Sequence, residues 1–266
     1  MKRLVLFLIL GLTATIVYSQ KKEPRQVSGF TGIDASSLFD ITVTKGDKES
    51  LVIEASDNVM PYVRSEVKNG VLRLYLDNYK TEYNNVNILR AVIVMKNLDK
   101  VALSGACKLT SNDLFTSDKF KADCSGVTNM KAKVNTGQLS ISTSGGSEIR
   151  INANVSGDTN IEMSGVSKMA GDLKANNVAL SSSGGCSIEL TGSANNIKME
   201  LSGTSNINAG DFTVKSAGIE SSGASAVTIN VTGDLKVNSS GASSVNYKGS
   251  PSLNINNSPA AIVRKI

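Results

Sequence analysis

The sequence has no histidine and no tryptophan; aromatic residues make up 5% of it, and proline occurs four times in 266 residues. Without an imidazole, every mechanism that uses one as base, proton shuttle or metal ligand is excluded. Few aromatics and many small residues point to a thin, repetitive core and to modest stacking on sugars. The three cysteines, Cys107, Cys124 and Cys186, are an odd number, so an exported chain keeps at least one unpaired. There is no Cys-x-x-Cys, and without histidine a zinc site lacks ligands. No metal and no cofactor is expected. Charge is nearly balanced, 28 basic against 23 acidic residues, and is spread along the chain, so nucleic acid is excluded as a partner. An apolar fraction of 40% is enough for a packed core and argues against wholesale disorder.

The N-terminus reads as a targeting segment. Met1-Lys2-Arg3 is a short positive start, Leu4 to Val17 is apolar apart from Thr13 and Thr15, and Val17-Tyr18-Ser19 precedes Gln20-Lys21-Lys22. This predicts a secretory signal peptide over residues 1–19, cut after Ser19. The apolar run is shorter than the roughly 20 residues a membrane-spanning helix needs, no cysteine lies near the cut to carry a lipid, and no later stretch can cross a membrane as a helix. Residues 20–28 then read as a linker.

From residue 101 to 266 the chain repeats. Ser-Gly recurs at Ser104, Ser125, Ser144, Ser164, Ser183, Ser202, Ser222 and Ser240, with spacings of 18 to 21 residues. Three positions before each serine stand Val101, Ala122, Ile141, Ile161, Leu180, Met199, Ile219 and Val237; five positions after it stand Leu109, Met130, Ile149, Met169, Ile188, Ile207, Val227 and Val245. Both columns are wholly apolar. Three positions after the serine every residue is small, from Cys107 to Ser243. Around each Ser-Gly the apolar residues alternate, which is strand periodicity, and the glycine supplies a corner. A fixed period of this kind signals a solenoid. The predicted fold is all-β: a right-handed parallel β-helix of about 19–20 residues per coil, its two apolar columns turned inward and equivalent residues of successive coils stacked about 4.8 Å apart. On that geometry Cys107 and Cys186 lie four coils apart, roughly 19 Å, too far for a disulfide. A Cys107–Cys124 bridge stays open.

Residues 29–100 lack the Ser-Gly beat. Lys45-Gly46-Asp47 and Lys68-Asn69-Gly70 each sit between strand-like runs and predict two hairpins, the second with a type I′ turn. Val86 to Val94 reads as another strand, and residues 77–85 as a polar loop. An open solenoid end exposes apolar surface and unpaired edges, so this segment is expected to cap the solenoid or start it, the alternative being a separate module.

Several of these stretches together resemble one family. Phe30-Thr-Gly-Ile33 with Phe39-Asp40-Ile41, then Lys45-Gly46-Asp47, Ala55-Ser-Asp57-Asn58, and the later Ser222-Gly-Ala-Ser225 and Ser240-Gly-Ala-Ser243 are similar to the head GIN domain proteins, auto-transporter adhesins by label. The resemblance spans about residues 29–250. It implies a β-helical exported protein with a role in adhesion. The sequence departs from an auto-transporter in having no run of alternating ten-residue strands for a translocator barrel.

Catalytic motifs are scarce. No Gly-x-Ser-x-Gly and no Gly-Lys-Ser/Thr occurs, and Ser65-Glu-Val-Lys68 is a bare four-residue match beside a hairpin turn. The repeat serines have no base and serve as corner residues. Two positions before the serine, an outward column carries Asp123, Glu162, Glu200 and Glu220, of which Glu200 and Glu220 fall on adjacent coils beside Lys198 and Lys236. Glu200 and Glu220 are therefore the candidate binding residues, for a cation or a sugar; catalytic residues are expected to be none. The expectation is a non-enzymatic exported recognition module at the cell surface or in the periplasm, contacting glycan or a surface protein. The alternatives are a polysaccharide lyase or hydrolase and a purely structural envelope component.

Overall fold

The structure is a computed structural model that describes residues 20–77 and 88–266; the expected signal peptide lies outside the described residues, as does most of the loop expected at 77–85. The chain is a β-solenoid of about nine turns. Its first strands are β1 (Gln20–Arg25), β2 (Gly32–Ala35), β3 (Asp40–Lys45), β4 (Ser50–Ser56), β5 (Val63–Lys68), β6 (Val71–Leu76) and β7 (Leu89–Met95). The regular coils follow in β8 (Lys100–Leu103), β9 (Lys108–Cys124), β10 (Asn129–Thr143), β11 (Glu148–Val155), β12 (Asp158–Met163), β13 (Lys168–Gly184), β14 (Ser187–Gly203), β15 (Asn206–Ser221), β16 (Ala226–Ser239), β17 (Ser244–Gly249), β18 (Ser252–Asn257) and β19 (Ile262–Lys265).

From β8 onward every neighbouring pair is parallel. The two apolar columns are in register. Val101 faces Ala122, then Ile141, Ile161, Leu180, Met199, Ile219 and Val237 in turn. Leu109 begins the second column, which runs through Met130, Ile149 and Met169 to Val245. All sixteen side chains are buried. The long strands bend around the tube: in β14, Ile188 and Leu190, then Ala194, then Ile197, Met199 and Leu201 turn inward in succession. Cys107, Cys124 and Cys186 are all free and buried; no bridge forms.

The repeat begins earlier than the Ser-Gly beat indicates. β2 lies parallel below β8, and β3 below β9, in the columns of the later coils: Ile33 under Val101 and Ile41 under Leu109. Ser36 and Ser37 form the corner between them. Ser37 takes the glycine position with a φ of 83°, which hides this coil from a search for Ser-Gly.

Two sequence expectations change here. Residues 20–28 are not merely a linker, because β1 pairs antiparallel with β4; its lysines and Pro24 read as polar linker but suit an edge strand. The hairpin expected around Lys45-Gly46-Asp47 does not form. β7, which follows some forty residues later, inserts between β3 and β4, parallel to one and antiparallel to the other. The Lys68-Asn69-Gly70 hairpin is present: β5 and β6 pair antiparallel, with φ of 51° at Asn69 and 73° at Gly70, as a type I′ turn requires. β6 and β7 thus form a further layer beneath the first coil, covered outside by β5 and by β4 with β1.

Candidate functional site

Glu200 and Glu220 are direct register partners on adjacent coils. Alternation along β14 and β15 turns both outward, and both are exposed. With Glu162 and the corner residues Ser183, Ser202 and Ser222 they line a groove of about 880 Å³ that runs along the tube. Asp123 stands apart from that groove, paired with Lys121 at 2.9 Å. Lys198 Nζ lies 2.6 Å from Glu200 Oε1. The hydrogen bond to Glu200, then the charges of Glu200 and Glu220, raise the lysine's pKa above its ordinary value. Lys236 is exposed and does not line the groove. Lys198 thus already supplies the countercharge a cation would bring, and the described residues contain no cluster of three or more metal-ligating side chains.

The serines are occupied with the backbone. Ser164 Oγ donates to the Thr143 carbonyl at 3.2 Å and Ser222 Oγ to that of Leu201 at 3.4 Å, each in the preceding coil. In the small column Ser147 and Ser243 donate to the carbonyls of Ser144 and Ser240 at 3.0 and 2.9 Å, closing the corner within one coil. These hydroxyls satisfy corner carbonyls. Ser65 and Lys68 are three residues apart on a strand, hence on opposite faces, and cannot act as a pair.

One further constellation lies at the corner between the two inward apolar runs of the coils. Asparagines stack there coil on coil: Asn154 Nδ2 donates to Asn135 Oδ1 at 2.9 Å, Asn177 to Asp158 Oδ1 at 3.0 Å, Asn196 to Asn177 at 2.9 Å and Asn195 to Asn176 at 2.7 Å. A groove of about 780 Å³ flanks one side of this corner and one of about 690 Å³ the other. Sequence reasoning passed over these residues. The signal was present, because each bonded pair is separated by 19 residues, one coil length.

Comparison with known proteins agrees with this architecture. The family model described as "Putative auto-transporter adhesin, head GIN domain" matches residues 29–158 and 153–251. The chain belongs to the head GIN domain family. This head GIN chain is also similar in fold to solved structures. One is a protein described as a putative lipid binding protein from Parabacteroides distasonis ATCC 8503, at 16% identity, covering 93% of this chain and 96% of that one, with a TM-score of 0.67. Another is a putative adhesin from the same strain, at 20% identity, 93% and 97% coverage and a TM-score of 0.65. A third is a putative adhesin from Parabacteroides merdae ATCC 43184, at 19% identity, 93% and 96% coverage and a TM-score of 0.67. At these identities the likeness is one of fold. No curated protein matches the sequence. Among the described residues no helix is long and apolar enough to cross a membrane.

Proposed function

We propose that this head GIN protein is an exported, non-enzymatic recognition module of the cell surface or periplasm, which binds glycan or protein along the side of its solenoid. The observation that carries this reading is the set of long grooves along the tube, where outward polar side chains recur at register positions coil after coil beside apolar surface and offer an extended ligand repeated hydrogen-bonding partners. Membership of a family labelled as adhesins supports the same direction. The hydrolase alternative is disfavoured: it needs one carboxyl kept protonated by an apolar surrounding, whereas Glu200 and Glu220 are both exposed and Glu200 is ion-paired to Lys198. The lipid-binding description of one structural neighbour finds no support inside the tube, where the described ladders fill the interior and Ile161, Leu180 and Met199 are at most 1% exposed.

The test has two parts. Fractionation with protease shaving of intact cells should find the mature protein, beginning at Gln20, outside the cytoplasm; loss before a periplasmic control assigns it to the surface, and protection until the outer membrane is opened assigns it to the periplasm. Purified protein should then bind envelope or host-surface material saturably. An uncleaved chain retained in the cytoplasm, or no saturable binding to any such surface, overturns the proposal.

A further inference from the structure

We propose that the groove of about 690 Å³ beside the asparagine corner is a binding site for an anionic, uronate-bearing oligosaccharide lying along the tube axis. This rests on the recognition reading above and names the ligand class for one surface of it. Two outward columns line the groove, over an apolar floor to which Phe120, Leu139, Val178 and Ile197 contribute. One runs Lys119, Gln138, Asp158, Asn177 and Asn196; the other runs Lys121, Ser140, Asn160, Ala179 and Lys198. Lysine therefore stands at both ends and nowhere between. Four coil spacings separate Lys121 from Lys198, about 19 Å, the reach of a short oligosaccharide.

The middle of the groove suits sugar hydroxyls. Ser140 and Ala179 are small and leave room. Asn196 commits one amide N–H to Asn177, and its carbonyl and second N–H remain for a ligand. The single carboxylate among the lining residues, Asp158, receives a hydrogen bond from Asn177 at 3.0 Å. Lys119 has no ion pair among the described residues. Lys121 and Lys198 each hold one carboxylate, Asp123 at 2.9 Å and Glu200 at 2.6 Å, and an ammonium has three N–H donors, so each can accept a second anion. Charge separates this groove from its neighbour: its lining holds three cations and one acid, two of the cations also paired with Asp123 and Glu200 beside it and Lys119 unpaired among the described residues, whereas Glu162, Glu200 and Glu220 line the other without a cation. An anionic chain is attracted to the first and repelled by the second.

The experiment is isothermal titration of the purified protein with tetragalacturonate and, as the uncharged comparison, cellotetraose, each in low and high salt. Tetragalacturonate should bind more tightly, and its affinity should fall as salt screens the lysines. The double variant K119Q/K198Q, whose changes are on exposed side chains and whose melting temperature should match the parent, should bind it about fivefold more weakly. E200Q releases the Lys198 ammonium and should tighten binding, which loss of a merely structural contact would not do. Equal affinity for the two oligosaccharides, or unchanged affinity in K119Q/K198Q, overturns the anionic site while leaving glycan recognition standing. Binding of neither oligosaccharide, by protein that still binds cell surfaces, overturns the site and moves recognition to a protein partner.

Discussion

The glycine after each repeat serine answers two demands at once. Gly165 has a φ of 74°, and a Cβ built on it would stand 2.6 Å from the carbonyl oxygen of Gly145 in the coil below. The next residue, Val166, donates its N–H to that same carbonyl at 2.8 Å, so the coils cannot separate to make room. Gly165→Ala should cost about 2–4 kcal/mol, from the left-handed conformation and the overpacking together. Gly146, one position past a corner glycine, lacks both constraints: its nearest neighbour would lie 3.9 Å away. Gly146→Ala should leave the thermal midpoint within a degree or two of the parent, and equal losses in the two variants would refute the stacking argument. In the first coil Ser37 tolerates the same φ. A second residue-scale effect concerns pH. Burial pushes the Cys124 thiol from 9.0 up to about 11, with the Asp123 carboxylate adding to the shift and a hydrogen bond with Thr128 opposing it. Between those values the folded chain keeps a proton that the unfolded chain has lost. Stability is therefore full below about pH 9 and falls as pH rises toward 11, by about 3 kcal/mol for this group. Cys124→Ala should reduce that alkaline loss in a denaturation series, leaving the share of Cys107, whose thiol burial also pushes up, and a thiol reagent at pH 8 should label the native protein at Cys124 only after unfolding.

At the scale of elements, the N-terminal layers and the regular coils both hold register through inward apolar columns, and the N-terminal layers add charge pairing on the outside. In the coils, apolar columns face inward and any one-residue slip would expose them. In the N-terminal layers, charges alternate up the outward columns. Lys22, Glu54, Arg90, Asp40 and Lys108 are successive register partners, as are Glu66, Arg73 and Asp34. Arg73 lies 3.3 Å from Glu66 and 3.7 Å from Asp34. Arg73→Glu would place three carboxylates in a row, at a cost of about 1–2 kcal/mol in low salt, and most of that loss should disappear in 1 M salt; a salt-independent loss would mean that packing of the arginine stem matters instead. This difference explains what was legible beforehand. The coil interiors could be read because an inward column repeats its chemistry at a fixed period, from Val101 to Val237. The insertion of β7 between β3 and β4 could not, because pairing between segments some forty residues apart leaves no local pattern, and Lys45-Gly46-Asp47 looks like a tight turn in isolation. β1 reads as linker in the sequence because an edge strand is guarded by the lysines and proline that linkers also carry. Of the site, the outward column of Glu200 and Glu220 was legible from the serine alignment as a run of acids; Asp158, Asn177 and Asn196 hold an equally constant place, six residues before Ser164, Ser183 and Ser202, but polar residues of mixed type there look like any solvated turn until their side chains are seen to bond coil to coil.

For the whole molecule, the two ends of the described solenoid differ in kind. At the N-terminal end the edges of the first coil are taken: β2 lies between β6 and β8, and β3 between β7 and β9. The strands outside them, β1 and β5, carry lysine, arginine, glutamate and proline, which discourage further pairing. At the other end β18 pairs only with β16 and β19 only with β17 among the described residues, and Leu253 and Ile262 are 46% and 56% exposed. In a stack where each coil touches only its neighbours, losing a terminal coil costs one interface and little else. Deleting residues 244–266 replaces one open end by another, with the edge of β16 in place of β18 and β19. That shortened protein should stay soluble in the parent's oligomeric state, keep its strand signal by circular dichroism and melt a few degrees lower. Deleting residues 20–99 is a different operation, although the regular coils from Lys100 onward keep all their internal contacts. It strips β2 and β3 from β8 and β9, uncovers Val101 and Leu109, and leaves two unguarded parallel edges at an end that had none. This variant should aggregate when refolded under conditions where the parent is soluble. If it instead yields a soluble monomer with the parent's strand content, the N-terminal layers are an appendage to the solenoid and not its cap.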